Sequence, residues 1–312
     1  MYIHPFPLGM TGQTTTWLAR CVGVACYADD TTYTCSDKDP DRLTEKLSEK
    51  YKVMSYFLVS NKLKLNDDKT HLMVMTNSRR RANRLHSSKV EIRTPSGNIE
   101  SSECERLLWG LLHQDMKWGE HILDNEDSLV RSLNSRVGAL KLVSKVAGFK
   151  NRKMIANGIF LSKLTYLMPL WGGCRKELIQ KLQVLQNKAA RAVTKLGWYT
   201  PTSELLKQCG WLSVQQLIAY HSLVLVFKVV QAQAPKYLYS MFSTPYSYKT
   251  RQAQSGIIRH DRGLDLDITA DSFRWRASEL YNQLPLVIRN MDTLEKFKTR
   301  VKDWIKKNVQ LR

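Results

Sequence analysis

No Asp or Glu occurs in the first 28 residues, so the earliest acidic side chains are the adjacent pair Asp29 and Asp30. Cysteine is sparse and scattered, at positions 21, 26, 35, 104, 174 and 209, with no C-x-x-C pair and no histidine at zinc-finger spacing. A metal-thiolate site is therefore not expected. Dispersed thiols, and the lack of a basic start leading into an apolar segment, point to an intracellular protein of the nucleus or cytoplasm with reduced cysteines. No apolar run is long enough to span a bilayer. The most apolar stretch, Leu217 to Val230, is interrupted by His221 and Lys228. Neither an internal repeat nor a low-complexity tract is present, which excludes a repeat architecture.

Positive charge is what the chain has in excess. Lys and Arg outnumber Asp and Glu by 48 to 28, a net of +20. The surplus is 4 in residues 1–100 and 16 in residues 101–312, so it belongs to the C-terminal two-thirds. Such an excess suits a polyanionic partner. Without an apolar anchor, nucleic acid is favoured over an anionic membrane surface. The length, 312 residues, suggests about two domains.

Residues 21–35 are the most informative stretch. Val22, Val24 and Cys26 alternate with small or polar residues, and Thr31 to Thr34 form a second β-prone run, which predicts two strands around Ala28-Asp29-Asp30. Adjacent carboxylates at a hairpin tip repel each other, and a fold retains them mainly where a cation neutralises them. A divalent oxygen-ligand site is one reading and an ordinary acidic turn is the other. Downstream, Asp39-Pro40 starts a helix, with Leu43, Leu47, Tyr51, Met54 and Leu58 on one face and an end near Asn61. Residues 62–65 read as extended, Asn66-Asp67-Asp68-Lys69 as a turn and residues 71–76 as a strand. Two short strands flank the turn at residues 95–98. This is an α+β layout. Arg79, Arg80, Arg81 and Arg84 fall in a segment without apolar period, read as a basic loop.

From Glu120 onward the period becomes helical. Leu129, Leu133, Val137, Leu140, Val143 and Ala147 form a core stripe that leaves Arg131, Arg136, Lys141 and Lys145 outside it. Ile155, Ile159 and Leu164 suggest a second helix. Leu178, Leu182, Leu185, Ala189 and Val193 mark a third, with Lys181, Lys188, Arg191 and Lys195 outside. Too few acidic residues accompany these faces to balance them, which favours phosphate contact over a merely solvated surface. Thr200-Pro201 predicts a capped helix start and Gly210 its stop, while Ser213-x-x-Gln216 is a capping box before a helix that is apolar nearly all round and so central to a bundle. Residues 235–263 mix Tyr237, Tyr239, Tyr246 and Tyr248 with basic residues, which suits either single-strand binding or packing onto the bundle. A basic helix over Leu294 to Ile305 closes the chain.

Tyr27-Ala28-Asp29-Asp30 after an apolar strand resembles the catalytic hairpin in the palm of reverse transcriptases. Leu63-Lys64-Leu65-Asn66-Asp67-Asp68-Lys69-Thr70 is similar to the next palm motif of reverse transcriptases from non-LTR retrotransposons, and Leu107 to Trp118 to the palm-to-thumb element. The resemblance continues through Leu170-Trp171-Gly172 and Leu182 to Ala189 to Asn282-Gln283-Leu284-Pro285, and so covers most of the chain from about residue 20.

The resemblance implies an α+β fold: an unstructured or remnant N-terminus (1–20), a partial palm (21–118), thumb-like helices (119–197) and a C-terminal helical region (198–312). It implies RNA-templated DNA synthesis from deoxynucleoside triphosphates, with an RNA template and a DNA primer or hybrid as partners and Mg²⁺ held by Asp29 and Asp30. Tyr27, Ala28 and Asn66 would line the primer or nucleotide side, and Lys69 would protonate the pyrophosphate leaving group. Arg131, Arg136, Lys141, Lys145, Lys181, Lys188 and Arg191 would grip the duplex backbone. The family also uses an aspartate on an earlier strand, and residues 1–28 supply none. The expectation is therefore the C-terminal part of a reverse transcriptase, truncated and inactive alone. The alternative is a non-enzymatic nucleic-acid-binding remnant.

Overall fold

The computed structural model describes residues 22–27, 30–63, 65–75, 90–94, 97–124, 126, 128–235, 238–239, 242, 258 and 272–309. Ala28 and Asp29, the Arg79–Arg84 segment, residues 1–20 and most of the tyrosine-rich stretch therefore lie outside the described residues. The fold is mixed α+β, in two units: residues 1–116 and residues 117–312.

In the first unit, β1 (Val22–Tyr27) and β2 (Asp30–Cys35) pair antiparallel, with Tyr27 opposite Asp30 as the last pair. Helix α1 (Pro40–Ser60) begins as its sequence indicates: the Asp39 carboxylate accepts from the Asp41 amide and Pro40 occupies the first turn. Strands β3 (Glu91–Thr94) and β4 (Gly97–Glu100) form a second pair, and β5 (Cys104–Leu107) and β6 (Gly110–His113) a third. The core joins α1 to β3 and β4, with Tyr51, Leu72, Val90 and Ile92 at its centre. The strand expected over residues 71–76 is reduced, in the described part, to a single bridge between Leu72 and Ser101. Beside it the Leu72 carbonyl accepts from both the Ser102 amide (2.9 Å) and the Ser102 hydroxyl (3.1 Å), while the Val74 amide donates to the Ser101 hydroxyl (3.2 Å).

The second unit is helical where described. A π-turn (Glu120–Asp124) leads into α2 (Leu129–Val146) and α3 (Phe149–Ala156). Helical turns continue from α3 through residues 157–161 into α4 (Ser162–Thr165), and extended Tyr166 and left-handed Leu167 then break the chain before α5 (Met168–Trp171). Next come α6 (Lys176–Thr194), α7 (Thr202–Cys209), α8 (Val214–Val230), α9 (Phe273–Asn282), α10 (Leu286–Arg289) and α11 (Leu294–Asn308). The start of α7 falls one residue later than expected: Pro201, not Thr200, is the N-cap, and no side chain caps it. Gly210 ends α7 in the left-handed region (φ 66°), and the Ser213–Gln216 capping box is present in both directions.

One core is built from α2 through α7 with the first turns of α8, and the line drawn from sequence at residues 197/198 falls inside it. The remainder of α8 lies in a second core with α9 and α11, where Phe227 stacks on Phe297 at 4.0 Å. Helix α8 is apolar all round because it serves both cores. Among the described residues no single helix is long and apolar enough to cross a membrane. Helices α7 and α8, bent by 47°, pass together on length and composition, and the cores claim most of their apolar side chains.

Candidate metal hairpin and nucleic-acid surface

Residues directly opposite each other in an antiparallel pair share a face of the sheet. Tyr27 with Asp30, Ala25 with Thr32, and Gly23 with Thr34 therefore line one side of the β1–β2 hairpin. Tyr33 points to the other side, where its hydroxyl donates to the Met54 sulfur of α1 at 3.2 Å. Helix α1 thus supports the hairpin from the face opposite Asp30. The Asp30 face is floored by small side chains. A Cβ on Gly23 would come within 2.6 Å of the Thr34 hydroxyl, which itself donates to the Gly23 carbonyl at 3.3 Å. Tyr27 is 68% exposed and Asp30 is exposed beside it. Only two residues, Ala28 and Asp29, link the strands.

As a donor, the Asp30 carboxylate is the hard oxygen ligand that Mg²⁺ takes. Ligand number is the weaker point. No group of three or more His, Cys, Asp or Glu side chains among the described residues is arranged to hold a metal ion.

The Asn66–Lys69 segment forms a single 3₁₀ turn over Asp67–Lys69. The Asn66 side chain accepts from the Asp68 amide at 3.0 Å, so it caps this turn. Asp67 is turned inward and accepts from the Tyr51 hydroxyl, with Thr94 in reach at 3.5 Å. Burial and this carboxylate push the Tyr51 phenol up to about 12. Lys69 is exposed at the end of the turn. Further on, β5 and β6 are joined by Leu108 and Trp109, both with positive φ (47° and 65°), the conformation of a tight two-residue hairpin turn. Neither is glycine, so the turn is strained. It presents Trp109 to solvent with the Arg106 guanidinium 5.7 Å from the ring centroid.

In the second unit, fourteen Lys and Arg residues face a single acidic one, Glu177, between positions 128 and 203. Arg131, Lys141 and Lys145 are exposed on α2, with Leu142 and the 89%-exposed Val146 beside the two lysines. Arg136 leans along its own helix, its Nε 3.4 Å from the Ser132 hydroxyl, and Arg131 meets Glu126 at 3.5 Å. On α6, Lys181 is exposed and Lys188 half-buried two turns later. Arg191 is engaged by the loop that follows. Its guanidinium donates to the Trp198 carbonyl at 3.0 Å and stacks 4.8 Å from the Trp198 ring centroid.

What fixes α2 and α6 relative to their neighbours went unseen in the sequence. Buried Arg152 donates from Nε to the Val193 carbonyl and from a terminal nitrogen to the Ala147 carbonyl, both at 2.7 Å, so one guanidinium closes the C-terminal ends of both basic helices. Gln183, Gln186 and Asn187 form a second clamp. Gln183 accepts from the Val214 amide, Gln186 donates to the Leu212 carbonyl, and Asn187 donates to the Thr202 hydroxyl, each at 2.9 Å. Three amides within five residues of an otherwise apolar stripe were the available clue. Likewise Asn282 brackets the backbone of Ile258, accepting from its N–H and donating to its carbonyl, both at 2.9 Å.

Comparison with protein-family models, with curated proteins and with solved structures finds no match to this chain.

Proposed function

We propose that this chain carries the palm hairpin, thumb and downstream region of a non-LTR retrotransposon reverse transcriptase, acting inside the cell in the nucleus or cytoplasm. The single observation that carries this reading is the hairpin register. Two residues, one of them Asp29, join the strands, and Asp30 and Tyr27 form the last pair on a small-residue face turned away from the supporting helix.

The reaction is attack of a primer 3′-hydroxyl on the α-phosphorus of a deoxynucleoside triphosphate, with pyrophosphate leaving. Mg²⁺, when bound, supplies charge neutralisation at the attacking and leaving oxygens. Asp29 and Asp30 would hold it, Tyr27 and Ala28 would border the primer or nucleotide, and Asn66 caps the turn that carries Lys69. The Lys69 ammonium donates a proton to the departing pyrophosphate. The Leu108–Trp109 turn, within the segment that resembles the palm-to-thumb element, would grip the primer strand.

In such a site a third carboxylate would come from an earlier strand laid against this hairpin, and residues 1–28 carry no Asp or Glu. The unaided chain should therefore extend an oligo(dT) primer on poly(rA) no faster than its Asp29→Ala, Asp30→Ala double variant. A fused segment that supplies an aspartate strand should restore extension, and the double variant should abolish it. Restored extension that survives the double substitution would refute the assignment of the hairpin.

A second reading, a nucleic-acid-binding remnant without turnover, is favoured by the fourteen-to-one basic bias of residues 128–203. It predicts binding to RNA–DNA hybrid and to single strands with little sequence preference, weakening steeply with salt. A filter-binding titration at two salt concentrations tests it. Salt-independent binding would exclude phosphate contact.

A further inference from the structure

Two consecutive aromatic residues in the second unit stand in solvent: Trp198 is 70% and Tyr199 is 97% exposed. The unit has room for tryptophan inside, since Trp171 and Trp211 are buried in its core. The turn bearing the pair is held in place. Lys195 ends α6 in the left-handed region, the Leu196 side chain packs on the core, the Thr200 amide bonds the Gly197 carbonyl at 3.2 Å, and Pro201 starts α7. Arg191 then fixes the indole through its bond to the Trp198 carbonyl and its stack against the ring.

From this arrangement we infer that Trp198 and Tyr199 form a stacking platform for the bases of an unpaired nucleic-acid strand, its phosphates met by Lys188 and Lys195. The guanidinium takes one face of the indole and leaves the other open to a planar ligand. Bases of a duplex are already stacked on one another and offer no free face, whereas an unpaired base does. Charge selects the same ligand. The rings sit at the end of a helix bearing Lys181, Lys188, Arg191 and Lys195, within a segment whose one acidic residue is Glu177. An acidic strand with aromatic bases complements both features, and a basic or neutral peptide complements only one. The inference rests on the nucleic-acid reading of the second unit.

Fluorescence anisotropy with labelled dT15, labelled rU15 and a fully paired RNA–DNA hybrid, at about 50 mM salt where phosphate contacts are strong, separates the two claims. Trp198→Ala, Tyr199→Ala should weaken single-strand binding about five- to hundredfold, the range expected for losing base–aromatic stacking. Hybrid affinity should stay within about twofold, and Trp198→Phe, Tyr199→Phe should keep most of the single-strand affinity because the π-faces remain. A loss on rU15 alone assigns the platform to RNA and a loss on dT15 alone to DNA, and either supports it. If the wild type binds all three probes and the double alanine variant binds them equally well, the platform is refuted while nucleic-acid binding stands. Equal weakening on hybrid and single strands also refutes it, as does loss of self-association with unchanged single-strand affinity. If the wild type binds none of the probes, the nucleic-acid reading falls and the platform with it.

Discussion

Replacing Arg152 by Met removes one guanidinium and keeps most of its aliphatic stem, so it isolates the clamp between α2 and α6 from the packing around it. The bond from Nε to the Val193 carbonyl is buried, and a charge-assisted bond in that setting contributes about 1.5–3 kcal/mol. The bond to Ala147 is partly exposed, water can replace it, and roughly 0.5–1.5 kcal/mol is a fair share. Both carbonyls lie at helix C-termini, where a cation is favoured, so the contributions have the same sign. The expected loss is about 2–4 kcal/mol, or a fall of about 5–15 °C in Tm for a body of this size. Circular dichroism at 222 nm against temperature reads the shift, and urea titration should give a lower midpoint with an unchanged slope. Arg152→Lys should fall between the two, because an ammonium is a point charge without the planar fork that spans two carbonyls. A Tm within about 1 °C of wild type for Arg152→Met, or full stability for Arg152→Lys, would show that the two-carbonyl bridge does not hold these helices together.

Two other expectations concern packing and pH. Gly172→Ala would place a Cβ 2.5 Å from the Ile218 Cγ2 atom and 2.8 Å from the Met168 carbonyl oxygen, and the second contact is backbone. A destabilisation of about 1–3 kcal/mol should follow, and a wild-type urea midpoint would refute the close approach of α5 to α8. In the first unit, Lys46 and neighbouring amides hold Asp37 at about 2, below its ordinary 3.8, so its contribution is present above pH 4 and is lost as pH falls through 2. Tyr51 is shifted the other way, to about 12, so its contribution is present below pH 10 and is lost as pH rises through 12. Asp37→Asn should flatten the acid limb of a stability–pH curve measured by urea unfolding, and Tyr51→Phe the alkaline limb. An unchanged limb in either variant would refute that pairing.

Local chemistry is what the amino-acid sequence determined by itself. The Asp39–Pro40 start of α1, the Ser213–Gln216 box and the Gly210 stop are read within a few residues, because each satisfies backbone groups next to it. The apolar stripes of α2 and α6 are equally legible, since a helical period needs no knowledge of what it packs against. The hairpin around Ala28-Asp29-Asp30 followed from two β-prone runs close together, although Asp30 falls in the second strand and not in the turn.

Only the tertiary structure decided the features that depend on residues far away in the chain. Residues 71–76 look like a strand, yet in the described part pairing stops at the bridge from Leu72 to Ser101, and the Val74 amide bonds the Ser101 hydroxyl instead of a backbone carbonyl. Arg152 lies on none of the stripes drawn from the sequence and is buried, because two helix ends converge on it. Arg191 reads as a phosphate contact and is held by the Trp198 ring and carbonyl. Trp198 itself stands in solvent. Burial of a polar group and exposure of an apolar one are both set by which distant segments arrive beside it, and no local pattern carries that information.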